Sequence, residues 1–394
     1  MTQPFSSRTG WNLQKTPFAA ALEALRATSE PFFDLTASNP TACGFEYDRE
    51  GILRAFSRPE SLEYEPDPRG LAVARVAVAE YYADAASAQV TTGQIFLTTS
   101  TSEAYSYLFR LHCDPGAEVL IAQPSYPLFQ FLADLDDVRL VPYPLFYDHG
   151  WHLDLAALTA RINPRTRAVV LVHPNNPTGH FTPLAARQAL ERICQQHNLA
   201  LIVDEVFLDY AFDSTDASPH ASFATGQHPV LTYVLSGLSK VAGLPQMKAA
   251  WIAAFGPDSL LADATARLEV IADTFLSINA PVQHALPYLL RNRSSVQHQI
   301  LARVRENLAT LDRQLASAPT ISRLEVQGGW YAVLRVPALM SGESLAIRLI
   351  EQQRVIVHPG YFYGFDGDGR LVLSLLPPKT EFAEGIKRLL HSTA

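Results

Sequence analysis

The chain has 394 residues, 48% of them hydrophobic and 18% charged, with a formal net charge of −8. That length accommodates two domains, or one large domain with a smaller one attached, and the composition suits a globular protein with a sizeable core. The acidic balance argues against nucleic acid or an anionic membrane as the main partner, and the three scattered cysteines, Cys43, Cys113 and Cys194, form neither a metal spacing nor a disulfide framework.

The opening M-T-Q-P-F-S-S-R-T-G-W carries no apolar signal-peptide core, and no apolar run is long enough to span a bilayer. A soluble cytoplasmic protein is expected. Phe18, Leu22 and Leu25 recur with helical spacing in an Ala-rich segment. F-F-D-L-T-A-S-N-P-T follows as a short strand ending in a turn at Asn39-Pro40, and Tyr64 to Gly70 reads as a loop. The stretch L-A-V-A-R-V-A-V-A-E-Y-Y after it reads as a helix.

Strand and helix signals then alternate. A short strand, a polar turn and a helix are expected within Ile95 to Phe109, apolar strands ending in a turn or in acids within Glu118 to Tyr126, Ala168 to Gly179 and Leu199 to Phe207, and a further strand in V-R-L-V-P-Y-P-L, with helical segments among them. Strands without polar alternation are buried on both faces, which is the mark of a parallel sheet covered by helices. Polar clusters fall at the C-terminal ends of these strands: Ser100-Thr101-Ser102, Ser125-Tyr126, Asn175-Asn176 and Asp204-Glu205. Open α/β sheets bind ligands at that edge. Beyond about residue 285 the pattern changes to one long helical stretch over Val282 to Leu315, then short strands with two further helical segments. That is an α+β unit, expected to pack with the N-terminal helix, which cannot bury its apolar face alone.

The chain converges on Y-V-L-S-G-L-S-K-V-A-G-L-P-Q-M-K, Tyr233 to Lys248. Lys240 follows a strand and has small or apolar neighbours. An ammonium held there tends toward a lowered pKa, as an imine-forming amine requires. Asp204 closes an apolar strand. It reads either as an ordinary strand-end acid or as the partner of a protonated ring nitrogen, since a buried anion needs a cation. Asn176 could donate to an oxygen beside an imine. Ser100, Thr101 and Ser102 precede a helix, where hydroxyls and backbone N–H groups can hold a phosphate. Ser236 and Lys248 could add a hydroxyl and a charge to the same group. Tyr126 could be a core aromatic or a stacking face.

In this order and spacing, N-N-P-T-G, D-E-V-F and S-G-L-S-K with a basic residue eight positions on, the chain resembles the fold-type I, class I/II aminotransferases. The resemblance runs from S-N-P-T to P-G-Y-F and beyond, over nearly the whole chain. It implies pyridoxal 5′-phosphate as cofactor and an α/β fold. A large, mostly parallel seven-stranded-type sheet domain is expected over residues 46–284. A small α+β domain is expected from residues 1–45 and 285–394. It further implies that Lys240 is the Schiff-base lysine and moves the substrate proton. Asp204 would face the pyridinium nitrogen, Asn176 the ring oxygen O3′, and Tyr126 the ring itself. Ser100, Thr101, Ser102, Ser236 and Lys248 would hold the phosphate. Tyr64 resembles the tyrosine that reaches the phosphate of a neighbouring subunit, which implies a homodimer with shared active sites. The reaction implied is amino transfer from an amino acid or amine to a 2-oxo acid; a β-eliminating C–S lyase is the alternative.

Three positions depart from the family pattern. Phe207 stands where many members place a tyrosine that donates to O3′. Lys248 stands at an arginine position, so a bidentate clamp becomes a point charge. Near the C-terminus, G-D-G-R-L-V-L-S puts Val372 where the family's carboxylate-gripping arginine falls. Arg370 lies two residues earlier, on the same face of a regular strand. It is either a substitute clamp or a surface residue. Asn39 and Arg370 are the residues assigned to the substrate side.

Overall fold

The uninterrupted apolar runs become buried strands. In the computed structural model, which describes residues 5–212 and 221–393, the strands in chain order begin with β1 (Phe33–Asp34), β2 (Ile95–Thr98), β3 (Glu118–Gln123), β4 (Arg139–Tyr147) and β5 (Trp151–Leu153). They continue with β6 (Thr166–Val172), β7 (Ala200–Asp204), β8 (Thr232–Gly237), β9 (Ala250–Phe255) and β10 (Ser322–Arg323). The last are β11 (Tyr331–Arg335), β12 (Val355–Ile356), β13 (His358–Pro359) and β14 (Arg370–Ser374).

The large sheet has the order β2-β9-β8-β7-β6-β3-β4-β5. Strands β4, β3, β6, β7 and β8 run parallel, and β9 is antiparallel to both β8 and β2. The resemblance implied seven strands. The eighth, β5, is a three-residue hairpin return on the edge strand β4. Alternate residues of β7 feed two separate cores, Leu201 and Val203 on one face, Ala200 and Ile202 on the other. The first face is covered by helices Ala72–Ala86, Leu184–Gln196 and Ala280–Arg291 through Val78, Leu190 and Leu286. The second is covered by helices Thr101–His112 and Asp258–Phe275 through Leu108 and Leu268. Each fully buried Leu or Val contributes roughly 1.5–3 kcal/mol.

A third core joins the chain ends. Phe18 and Leu25 of helix Pro17–Arg26 pack with Val304 and Leu311 of helix Arg293–Leu315, and with Phe382 and Ile386 of helix Lys379–Thr393. These surround the four-stranded sheet β10-β11-β14-β13.

Three local expectations change. The stretch Val282 to Leu315 is two helices, Ala280–Arg291 and Arg293–Leu315, broken at Asn292. There the backbone leaves helical geometry and the side-chain amide donates to the Tyr288 carbonyl at 2.9 Å, competing with the helical ladder. Helix Asp258–Phe275 has no counterpart among the predicted elements. Its buried stripe is Ala264, Leu268 and Ala272, too weakly apolar for a strong periodic signal. The I-S-R-L-E-V strand shortens to Ser322–Arg323. Among the described residues, no helix is long and apolar enough to cross a membrane.

Candidate active site

The parallel strands end along one edge of the large sheet, and the polar turns gather there. Lys240 lies in a one-turn helix, Leu238–Val241, directly after β8. Its backbone is pinned by the Tyr210 hydroxyl, which donates to the Lys240 carbonyl at 2.7 Å. Its Nζ lies 4.9 Å from the Trp330 ring centroid and 5.6 Å from that of Phe207. Burial lowers its pKa to about 8, against the pull of the Asp204 carboxylate, which raises it.

Asp204 is the last residue of β7 and is 7% exposed. It accepts hydrogen bonds from the Tyr105 hydroxyl at 3.2 Å and from the Val206 amide at 3.1 Å. Burial raises its pKa to about 6 despite both donors. From about pH 6 to about pH 8, both Lys240 and Asp204 are therefore charged.

Both residues line a cavity of about 560 Å³. Ser100, Thr101 and Ser102 line it at the start of helix Thr101–His112. Ser100 caps that helix, its hydroxyl accepting from the Glu103 amide at 3.2 Å. Glu103 in turn accepts from the Thr99 amide at 2.8 Å, so the turn is stapled in both directions. Lys248 lines the same cavity with its backbone at φ +52, a left-handed conformation that costs a non-glycine residue about 1 kcal/mol. Tyr126, Asn176 and Phe207 complete the set that the sequence assigned to this place.

Four assigned residues lie elsewhere. Ser236 is buried near the end of β8, its hydroxyl without a hydrogen-bond partner among the described residues, and does not line the cavity. Successive residues of a strand face opposite sides, so Gly237 lines the cavity and its predecessor does not. Ser239, just before the lysine, lines it instead. Asn39 is exposed and folds back on its own turn, accepting from the Thr41 amide and hydroxyl; its neighbour Ser38 lines the cavity. Tyr64 is 83% exposed, beside a separate cavity with Asn279. Arg370 lines another cavity, with Arg335 and Trp151. Two residues along a strand is about 6.6 Å, enough to carry it past the Lys240 site.

The sequence reading missed the far wall. Tyr331, His358, Phe362 and Tyr363 line the Lys240 cavity from β11, β13 and the turn after β13. They come from the C-terminal part of the chain and have no fixed spacing to Lys240. The P-G-Y-F stretch was the one available signal.

The donor set fits a phosphorylated pyridine. Asp204 is a buried acid whose hydrogen-bond donors, the Tyr105 hydroxyl and the Val206 amide, are both neutral. Asn176 is buried and lines the cavity with an amide whose N–H group can donate to a ring oxygen. Hydroxyls, a helix N-terminus and Lys248 form an anion-binding corner.

The family model for aminotransferase class I and II matches residues 49–389. The chain belongs to this family. Its reaction class is amino-group transfer, and the family and fold imply dependence on pyridoxal phosphate. The chain is 26% identical over 375 residues to a glutamate-pyruvate aminotransferase, AlaA, of Haemophilus influenzae, covering 93% of this chain and 92% of that one. It is also 26% identical to an alanine aminotransferase of Mycobacterium tuberculosis, over 93% of this chain and 86% of the relative. In structure it resembles an alanine aminotransferase from Pyrococcus furiosus, with a TM-score of 0.86 at 22% identity over 95% of each chain. A Thermus thermophilus aspartate aminotransferase mutant superposes with a TM-score of 0.84 at 23% identity, over 99% of this aminotransferase and 100% of the other. These relatives are all named for amino transfer, and the β-eliminating alternative finds no support among them.

Proposed function

We propose that this chain is a pyridoxal 5′-phosphate-dependent aminotransferase that works on α-amino acids and 2-oxo acids, with alanine and pyruvate as one exchanging pair. The observation that carries the reading is Lys240, half-buried and with its pKa lowered to about 8, in one cavity with the buried acid Asp204. The pyruvate side is supported by the names of the bacterial relatives.

When bound, pyridoxal phosphate supplies an electrophilic carbonyl and an electron-withdrawing ring. Lys240, near half neutral around pH 8, is the base that takes and returns the proton at the substrate α-carbon. Asp204, ionised above about pH 6, holds the proton on the pyridine nitrogen. Tyr105 keeps Asp204 oriented. With the cofactor bound, Asn176 would be the donor to O3′, without the second donor that a tyrosine at Phe207 would add, Tyr126 would face the ring, and Ser100, Thr101, Ser102, Ser239 and Lys248 would hold the phosphate.

The assembly we infer is a homodimer, in a cytoplasmic setting. Tyr64 is exposed, and so are Leu53, Leu62, Val73 and Val76. Their elements, Arg49–Phe56, Pro59–Leu62 and Ala72–Ala86, all pack on helix Ala280–Arg291. Exposed apolar side chains on neighbouring elements are what a subunit interface would cover. The two-domain division we infer is residues 46–284 against 1–45 with 285–394; the core around Phe18, Val304 and Phe382 supports it, while Leu286 and Leu290 of helix Ala280–Arg291 pack with the large sheet.

The reaction is tested with the loaded protein, L-alanine and 2-oxoglutarate. Pyruvate and glutamate should appear in equal amounts. Continuous release of ammonia from an amino acid alone would point to elimination and sink the reading. For the assembly, light scattering should give twice the 43.4 kDa chain mass. Tyr64→Phe should weaken retention of pyridoxal phosphate about tenfold, one lost hydrogen bond to a charged group, without changing that mass. Unaltered retention would remove Tyr64 from the shared site.

A further inference from the structure

Among the described residues of this chain, three side chains that can carry positive charge line the Lys240 cavity: Lys240, Lys248 and His358. Lys240 serves the reaction. Lys248 shares the lining with the Ser100 turn, in the place assigned to the phosphate. No arginine among the described residues lines the cavity. Within the chain, that leaves His358 to meet a substrate carboxylate.

Its position in the sheet supports the same conclusion. Strands β13 and β14 pair antiparallel, with His358 directly opposite Val372. Val372 is 1% exposed and packs in the core with Val333, Tyr363 and Phe365. It occupies the place where a guanidinium was expected and presents no charge. Residues directly opposite on neighbouring strands share a sheet face, with Cβ atoms about 5 Å apart. The imidazole is therefore one strand over from the missing cation, on the same face.

The ring is also held for the task. His358 Nδ1 lies 3.2 Å from the Tyr363 hydroxyl, and the ring packs against Phe362 at 5.5 Å between centroids. Nε2 has no hydrogen-bond partner among the described residues. Burial lowers the His358 pKa, and Asp34, from β1, opposes that shift. A carboxylate docked on Nε2 would supply the anionic partner that favours the protonated ring. Tyr331 and Ser38 also line the cavity and carry hydroxyls.

We propose that His358, oriented by Tyr363, receives the α-carboxylate of the amino-acid substrate in place of an arginine. This rests on the aminotransferase reading of the Lys240 cavity and deepens it. A single imidazole replaces a bidentate clamp. Carboxylate recognition is then a one-point contact, and amines that lack a carboxylate are penalised less than a guanidinium clamp would penalise them.

The test uses the loaded enzyme and two variants, His358→Gln and His358→Phe. The readouts are KM and kcat for an α-amino acid, rates with the matching carboxylate-free amine, and equilibrium binding of 3-phenylpropionate as an unreactive carboxylate. In both variants, KM for the amino acid and the dissociation constant of 3-phenylpropionate should rise together, about 10- to 100-fold, with kcat changed less than about threefold. The amine rate should hold. Tyr363→Phe, which keeps the ring volume and loses the hydroxyl that orients Nδ1, should give a smaller rise in the same two constants. Should His358→Phe not fold, the Gln and Tyr363→Phe variants carry the test. Folded variants that bind 3-phenylpropionate as the wild type does would overturn the His358 assignment alone. A wild-type enzyme that transfers no amino group would overturn the underlying reading of the cavity instead.

Discussion

Replacing Lys240 with alanine should lower amino transfer at least about 10⁴-fold. The variant loses both the amine that binds the cofactor carbonyl and the base at the substrate α-carbon, each of which alone is a large term. The rest of the cavity is built independently of this side chain. The Tyr210 hydroxyl holds the Lys240 backbone carbonyl, and the Ser100 turn is stapled by Glu103. Pyridoxal phosphate should therefore still bind, though less tightly. Borohydride should fix it covalently to the wild type, with mass analysis placing the adduct on the peptide that carries Lys240, and should fix none to the variant. Partial recovery of turnover with added methylamine would show that the missing element is a base. An adduct on another lysine with near-normal turnover would end the assignment.

Replacing Asp204 with asparagine should separate activity from stability. Loss of the charge that holds a ring proton should reduce turnover about 10³-fold, the order seen when one preorganised electrostatic partner is removed. The cofactor-free variant should nevertheless be more stable than the wild type at pH 7.5. The sign follows from the raised pKa, from 3.8 to about 6. A raised carboxyl pKa means that the folded state favours the protonated form. That contribution is complete below pH 3.8 and is lost as pH rises through about 6. Above that, ionised and buried Asp204 costs roughly 3 kcal/mol relative to a neutral group. Asparagine avoids this cost, and the Tyr105 hydroxyl can turn from donor to acceptor. Thermal melts of the two cofactor-free proteins should differ by a few degrees at pH 7.5, and the difference should shrink as the pH falls from about 6 toward 3.8. A less stable variant at pH 7.5 would mean that Asp204 is held by its hydrogen bonds rather than strained by burial.

Much of this was legible from residues alone. The sheet was legible because β6, β7 and β8 are buried on both faces, so their sequences are apolar without alternation. The turns at their C-terminal ends carried Asn176, Asp204 and Lys240, and a short loop holds a residue at a set distance from its strand. Where the chain is local, sequence spacing is a usable measure of space.

The rest was decided by tertiary structure. Ser239 and not Ser236 lines the cavity because one residue at a strand end changes the side to which a side chain points. Arg370 shares a strand with Val372, yet two residues of rise carry it to a different cavity. Helix Asp258–Phe275 buries alanines, which leave little periodic trace. The wall of Ser38, Tyr331, His358 and Tyr363 comes from segments far from Lys240 in the chain. The sequence by itself determined the sheet, its ligand-binding edge and the Lys240–Asp204 pair, because buried strands and their short turns are local patterns. Only the tertiary structure decided what faces that pair, because the opposing wall exists only once β11, β13 and β14 pack against the large sheet's edge.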